Sequence, residues 1–170
     1  NDDRKNRKGF AVMPRFSVWV DADSFPTIAR KFLVDYAISK SVQVVFVANR
    51  EIKSENKSVK MVVCEKGKDS ADNYIFSNVS ENDIVVTRDL PFAARLLEKK
   101  ISVMNDRGVL FSKDNIEDKL REREFSLNLS QIGFGGNKGN FYGEKEFRKF
   151  KNLFEQELQK HIIAELYKRS

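Results

Sequence analysis

Five short apolar segments alternate with longer amphipathic ones along the chain. The short segments are rich in valine and isoleucine, and their apolar positions are continuous, which is typical of strands buried on both faces of a parallel sheet. The predicted strands are 16–20, 42–48, 59–63, 83–86 and 101–104. The polar link 49–58 is short for a helical crossover, so the pattern does not fix the direction of the third strand.

Apolar residues in the longer segments recur at spacings of three and four, which predicts helices that pack on the sheet. The predicted helices are 25–37, 69–77, 90–99, 114–124 and 144–167. Ser24 or Asp23 is the expected N-cap of the first helix, with Pro26 in its first turn. The long apolar stripe of the last helix suits the core of the chain and a homodimer interface equally well.

The alternation of strands and helices predicts an α/β protein of three-layer, Rossmann-like type, with a mostly parallel five-stranded sheet flanked by helices. A length of 170 residues suits one domain, which we place at 15–170. Residues 1–14 carry a basic run without an apolar segment after it. We expect them to be a disordered arm or an extension outside the natural protein.

The charge balance adds a candidate partner. Lys and Arg number 31 against 25 Asp and Glu, a formal net charge of +6, which favours contact with a polyanion such as nucleic acid. The chain lacks a long apolar run that would predict a membrane span. Its single cysteine, Cys64, excludes an internal disulfide and fits a cytoplasmic location.

Aspartates follow four of the five predicted strands. They are Asp21 and Asp23 after the first, Asp69 and Asp72 after the third, Asp89 after the fourth and Asp106 after the fifth. Because the carboxyl ends of parallel strands meet at one edge of a sheet, we expect these side chains to converge. Crowded carboxylates repel one another unless a hard cation such as Mg²⁺ or Mn²⁺ neutralises them. Such a site predicts hydrolysis of a phosphodiester or phosphoester.

Helix capping offers a simpler interpretation of some of these acids, since Asp23, Asp69 and Asp89 each precede a predicted helix. Capping does not account for Asp21, which precedes the cap position, or for Asp72, which lies inside a helix. The predicted catalytic residues are therefore Asp21, Asp72 and Asp89. The predicted metal ligands add Asp23 and Asp106, whereas Asp69 is expected only to cap its helix.

Several segments together resemble one family of bacterial proteins. They are 20–26 (VDADSFP), 67–74 (GKDSADNY), 83–91 (DIVVTRDLP), 105–108 (NDRG) and 114–116 (DNI). In this order they resemble the YaiI/YqxD family, from about Ser17 to beyond Phe150. That family is similar to PIN-like domains, which are Rossmann-like folds whose clustered acids bind Mg²⁺ or Mn²⁺ and cut RNA or DNA.

The resemblance implies a PIN-like domain and a metal-dependent nuclease, for which RNA is the preferred expectation over DNA. Asp21 matches the acid after the first strand, Asp72 the helix acid, and Asp89 the acid of the Thr-x-Asp turn. Asp106 matches the fourth acid of the pattern more loosely.

Four basic residues fall at the same end of the predicted sheet and are candidates for contact with substrate phosphates. They are Arg88, Lys68, Arg50 and Arg107, of which Arg88 is the first choice. Each of them taken alone is better explained as a solvated surface charge.

Two other functions stay open. Asp21 and Asp23 also match the first motif of haloacid-dehalogenase-like phosphatases, in which the first aspartate attacks phosphorus. Thr87 would serve as the second motif of these phosphatases, whose acidic metal-binding motif comes late in the chain. The order of motifs argues against this class, because here the acidic segment 67–72 precedes Thr87. The second alternative is a nucleic-acid-binding protein that keeps the fold without catalysis.

Overall fold

The computed structural model describes residues 16–51, 59–67, 69–134 and 141–169. In these ranges five strands form one sheet: β1 (Ser17–Asp21), β2 (Gln43–Ala48), β3 (Lys60–Val63), β4 (Ile84–Val86) and β5 (Ser102–Met104). Five helices flank it: α1 (Thr27–Lys40), α2 (Ser70–Asn78), α3 (Leu90–Glu98), α4 (Lys113–Gln131) and α5 (Glu144–Arg169). The predicted N-terminal arm lies outside the described residues.

The sheet has the order β3-β2-β1-β4-β5, and every neighbouring pair of strands is parallel. This includes β3, whose direction the sequence did not fix and which runs parallel to β2. The predicted fold class is thereby confirmed as a Rossmann-like, three-layer α/β structure with an all-parallel sheet.

Burial on both faces of the sheet explains the continuous apolar runs. Val18 and Val20 of β1 face the layer formed by α1 and α5, whereas Trp19 between them faces the layer that contains α2, α3 and α4. Burial of one such side chain contributes about 1.5–3 kcal/mol. A polar residue at either position would therefore cost stability on one face or the other.

Asp83 fixes β1 against β4 at the end of the sheet opposite the predicted site. This buried carboxylate accepts hydrogen bonds from the Trp19 indole at 2.9 Å and from the backbone N–H groups of Ser17 at 2.8 Å and Ser80 at 2.9 Å. A buried carboxylate with three donors is well satisfied. It therefore belongs to the scaffold.

The apolar stripe of α5 contributes to the core of this chain. Phe150, Phe154 and Leu158 are buried against α1 and the sheet, and the Phe154 ring centroid lies 5.5 Å from that of Tyr36. Further along the helix, Leu166 is exposed. The homodimer remains a prediction.

Two predicted helix ends are wrong. The first helix begins at Thr27, because Pro26 takes an extended backbone with ψ of 140° and occupies the N-cap position without a side-chain cap. Neither Ser24 nor Asp23 caps the helix. The fourth helix continues past 124 to Gln131. It ends just before Gly133, whose φ of 83° lies in the left-handed region. Within the described ranges, no helix has the length and apolar character required to cross a bilayer.

Candidate metal centre

The candidate site lies at the carboxyl edge of the two central strands. From β1 the sheet is built outward in one direction through β2 and in the other through β4, so the loops after β1 and β4 diverge and leave a crevice. Asp21 is the last residue of β1, and Asp89 follows β4 as the N-cap of α3. Open α/β sheets bind ligands in this position.

Asp21 is held in place by a threonine on the neighbouring strand end. The Thr87 hydroxyl donates to Asp21 Oδ2 over 3.3 Å, and Thr87 itself is buried. Burial raises the pKa of Asp21 above its ordinary value, and the nearby carboxylates of Asp23 and Asp89 raise it further. The protein therefore holds a carboxylate here at an electrostatic cost.

Asp72 is the most strongly perturbed acid of the site. It lies in the first turn of α2 and is only 7% exposed. Burial, followed by the charges of Asp21 and Asp89, raises the pKa of Asp72 to about 8. Its carboxyl lies within hydrogen-bonding reach of both of these neighbours. The three predicted catalytic aspartates are thus brought together by the fold.

Asp69 joins Asp72 and Asp89 in a group suited to a cation. One carboxylate oxygen from each of the three lies within 4.8 Å of the others. Asp69 has a left-handed backbone, with φ of 65°, and its side chain makes no capping hydrogen bond. An all-carboxylate set of oxygen donors fits Mg²⁺ or Mn²⁺. The expectation that Asp69 only caps its helix is wrong.

Asp89 has a structural as well as a potential chemical role. One of its oxygens, Oδ1, accepts from the backbone N–H of Phe92 at 2.9 Å and caps α3. Its own N–H donates to the Thr87 hydroxyl at 3.1 Å. Capping and participation in the acid group are therefore compatible at this residue, because a carboxylate has two oxygens.

Asp23 lies beside the cluster and connects two strand ends. Its Oδ1 accepts from the backbone N–H of Asn49 at 2.8 Å, and its carbonyl accepts from Arg50 at 3.5 Å. Asn49 in turn accepts from the Ser70 hydroxyl at 2.6 Å. Asp23 thus fixes the loop after β1 to the loop after β2, which gives this carboxylate a structural partner.

Asp106 is placed in an ion pair. It is 1% exposed, and Arg88 Nε donates to its Oδ2 at 2.7 Å, while a second guanidinium nitrogen contacts the same oxygen. The other oxygen, Oδ1, has no hydrogen-bond partner among the described residues. The Tyr142 hydroxyl donates to the Asp106 carbonyl at 2.7 Å. Asp106 lies outside the group formed by Asp69, Asp72 and Asp89.

The basic residues predicted to contact phosphates lie in different surroundings. Arg88 is 37% exposed and held by Asp106. Arg107 donates to the Phe141 carbonyl at 2.9 Å, and its guanidinium lies 5.9 Å from the centre of the Tyr142 ring. Arg50 is exposed near the loop after β1. Lys68 lies outside the described residues.

The edge of the sheet and the aspartates that lie near it could be predicted from the sequence, but the capping role predicted for Asp69 is wrong. The available signal was the spacing of Asp69 and Asp72, three residues apart, which places both on one side of a helix. The pairing of Arg88 with Asp106 had no such signal, because the two residues are 18 positions apart on different loops.

The fold and site define a Rossmann-like α/β protein with an acidic cluster where the strand order reverses. Residues 19–160 match the family described as "Uncharacterized BCR, YaiI/YqxD family". The chain belongs to the YaiI/YqxD family. No solved structure matched the chain.

Relatives of similar length share much of the sequence. A UPF0178 protein of Treponema denticola is 41% identical over 145 residues, which cover 85% of this chain and 93% of the relative. A UPF0178 protein of Psychromonas ingrahamii is 36% identical, with 85% and 96% covered. A UPF0178 protein of Pseudomonas putida is 33% identical, with 89% and 98% covered.

Proposed function

We propose that this protein is a divalent-metal-dependent nuclease that hydrolyses phosphodiester bonds, with RNA preferred over DNA. The observation that carries the proposal is the position of the buried Asp72 carboxyl between Asp21 and Asp89, together with the shared centre of Asp69, Asp72 and Asp89, at the crevice between β1 and β4. Three carboxylates this close destabilise the metal-free protein, and a fold keeps such an arrangement when a cation or proton relieves it. The net charge of +6 supports a polyanionic substrate.

Asp69, Asp72 and Asp89 are the residues that would hold Mg²⁺ or Mn²⁺, since each offers an oxygen to a common centre. When bound, such an ion stabilises the negative charge that develops on the phosphate during in-line displacement. Asp69 belongs to this set because its oxygen faces the other two. Asp23 and Asp106 are proposed to support the site from outside, through Asn49 and Arg88.

Asp21 is proposed to orient the attacking water and to accept its proton. A carboxylate with a raised pKa is a better base near neutral pH than an ordinary one. The direction of its pKa shift fits this role, and the hydrogen bond from Thr87 to Oδ2 holds the carboxylate in place. Arg88, Arg50 and Arg107 are proposed to contact phosphates that flank the scissile bond.

The phosphatase alternative has weaker support. In that chemistry the second aspartate of the first motif acts as acid and base, so it must face the substrate. The Asp23 carboxylate is instead engaged by the Asn49 N–H at 2.8 Å. The surroundings of Asp23 are also compatible with a nucleic-acid-binding protein that has no catalytic activity. The experiment below distinguishes the nuclease from the phosphatase and from the binding protein.

The experiment compares cleavage of four substrates in Mn²⁺, in Mg²⁺ and in a chelator: single-stranded RNA, structured RNA, single-stranded DNA and an aryl phosphomonoester. The variants are Asp21→Asn, Asp72→Asn and Asp89→Asn. Asp35→Asn on the exposed side of α1 is the matched control, since it removes the same charge away from the cluster. We expect metal-dependent strand cleavage by the wild type and the control only.

Two outcomes would overturn the proposal. Binding of RNA or DNA without cleavage in either metal would leave a binding protein. Turnover of the monoester alone, abolished by Asp21→Asn, would identify a phosphatase.

A further inference from the structure

A cleft of about 370 Å³ opens beside the acid cluster, between the start of α3, the turn after β5 and the middle of α4. Leu90 and Phe111 supply apolar surface to it. Its charged lining consists of the cations Arg88, Arg107, Lys119 and Arg123 and the acids Asp106 and Glu122. The cleft is therefore positive, whereas the neighbouring cluster of aspartates is negative.

The cleft and the acid cluster share a wall. The ion pair of Arg88 and Asp106 lines the cleft on one side, and on the other it borders a void too small for a water molecule, which it shares with Asp21 and Thr87. One ion pair therefore separates the cleft from Asp21. The cleft is positioned for the part of a substrate that adjoins the reacting group.

Among the described residues, the two cations that α4 contributes to the cleft have no carboxylate within ion-pairing distance. Arg121, on the same helix, pairs with Glu117 at 3.5 Å and Asp118 at 3.7 Å and is strongly exposed. Within the part of the chain that the structure describes, Lys119 and Arg123 make no ion pair. Cations without an ion-pair partner in a concave surface of net positive charge favour an anionic ligand.

The dimensions of the cleft narrow the class of ligand. A volume of about 370 Å³ is near the lower end of the range for small-molecule sites and suits one nucleotide unit. A double helix presents its phosphates across a much broader surface, whereas a single strand can insert one nucleotide at a time. The apolar surface of Leu90 and Phe111 suits a base or sugar, and the α4 cations suit its phosphates.

We propose that this cleft binds the nucleotide adjoining the scissile phosphate of a single-stranded nucleic acid, with Lys119 and Arg123 in contact with its phosphates. This inference rests on the proposed nuclease function, because a scissile phosphate exists only if the protein cuts the strand. Binding of the strand is measurable without cleavage. It assigns substrate contacts to α4, to which the sequence assigned none.

The test is the affinity of the full chain for a labelled 12-nucleotide single strand, as RNA and as DNA, measured by fluorescence anisotropy in chelator over a series of salt concentrations. The test variant is Lys119→Gln with Arg123→Gln. The matched control is Lys113→Gln with Arg121→Gln, which removes two charges from α4 outside the cleft. The wild type and both variants keep Asp21, Asp69, Asp72 and Asp89, so the repulsion between these acids and the strand is the same in all three. Circular dichroism checks that each variant is folded.

We expect the test variant to bind roughly 10- to 30-fold more weakly at about 0.1 M salt. The slope of the logarithm of the binding constant against the logarithm of the salt concentration should be smaller in magnitude by about 1.4, because each of the two lost phosphate contacts on a single strand contributes about 0.7. The control should keep at least most of the wild-type slope. Equal losses of affinity in both variants would show a general effect of charge and would overturn the proposal that the cleft binds the strand. Wild-type affinity in the test variant would do the same.

Cleavage in Mn²⁺ separates this inference from the function on which it rests. Binding that depends on Lys119 and Arg123, with no cleavage by any protein, supports the cleft and removes the nuclease. Cleavage that depends on Asp72 but has the same KM in the test variant supports the nuclease and removes the cleft. If both hold, the test variant should raise KM and leave kcat within about threefold, because its contacts lie beside the reacting phosphate.

Discussion

The Thr87 hydroxyl donates to Asp21 Oδ2 over 3.3 Å and accepts the backbone N–H of Asp89 over 3.1 Å. One buried side chain thus connects the end of β1 with the start of α3 across the crevice between the two halves of the sheet. The positions of Asp21 and Asp89 are coupled through it. A disturbance at Thr87 should therefore reach both acids.

Thr87→Val keeps the shape of the side chain and removes both hydrogen bonds. We expect the free energy of unfolding to fall by about 1–3 kcal/mol, because the Asp89 N–H loses its acceptor. Metal-dependent cleavage should fall by roughly 10- to 100-fold, since the two carboxylates lose their mutual alignment. Thr87→Ser keeps the hydroxyl and is the control; equal activity of the valine and serine variants would contradict the role assigned to this bond.

The raised pKa of Asp72, about 8, predicts a dependence of stability on pH in the absence of metal. An unfolded chain releases this proton near pH 4, whereas the folded chain holds it until about pH 8. The stability associated with this group is thus fully present below about pH 4 and is lost as the pH rises through about 8. Chemical unfolding in chelator at several pH values measures the loss.

Asp72→Asn replaces the carboxyl by a neutral amide and should abolish most of this dependence. Near pH 9 in chelator, the variant should be more stable than the wild type by roughly 1–3 kcal/mol, and near pH 4 the two should agree. Asp35→Asn, away from the cluster, should show the wild-type dependence. A wild type as stable near pH 9 as near pH 5 would contradict the electrostatic strain assigned to Asp72.

The elements of the fold could be predicted from sequence because two-sided burial imposes a visible pattern. Val18, Trp19 and Val20 must all be apolar, since alternate residues enter different layers. The edge occupied by the aspartates followed from the parallel direction of the strands. The end of the fourth helix did not follow, because exposed residues such as Phe125 and Leu127 interrupt the charged pattern without ending the helix.

The assignments within the site depended on side-chain direction, which spacing does not encode. Asp23 and Asp69 both precede helices, and the sequence predicts Asp23 as a metal ligand and Asp69 only as a cap, yet Asp23 accepts from the Asn49 N–H and Asp69 lies close to Asp72 and Asp89. The difference arises from the left-handed backbone of Asp69, with φ of 65°. An aspartate tolerates this conformation better than most residues, so its identity alone gave no warning.

This difference makes metal binding a test of the two assignments. Mn²⁺ should raise the midpoint of thermal unfolding of the wild type, and a concentration about 100-fold above Kd should add about 2.7 kcal/mol. Asp69→Asn, Asp72→Asn and Asp89→Asn should each remove most of the rise, because each replaces a charged carboxylate of the group by a neutral amide, which binds a hard cation more weakly. Asp23→Asn should retain it. The reverse result, with Asp23 required and Asp69 dispensable, would favour the ligand set predicted from sequence.

Gly108 tests how the turn after β5 is held. Its φ of 80° lies in the left-handed region, and a Cβ at this position would lie 2.6 Å from the backbone carbonyl carbon of Lys149 in α5. The turn is also fixed through Asp106, whose carbonyl accepts from Tyr142 at 2.7 Å. Gly108→Ala must therefore either strain the turn or push it away from α5, and the second movement carries Asp106 and its partner Arg88 with it.

Gly133 provides the matched control, because its φ of 83° is similar but a Cβ there would meet nothing within 4 Å. Gly133→Ala should cost only the conformational penalty of about 1–2 kcal/mol. Gly108→Ala should cost clearly more, about 3 kcal/mol or above, since the contact with Lys149 adds to the same penalty. Urea unfolding measures both. Equal losses would mean that α5 yields without cost, and the close packing of the turn would then contribute nothing to the placement of Asp106.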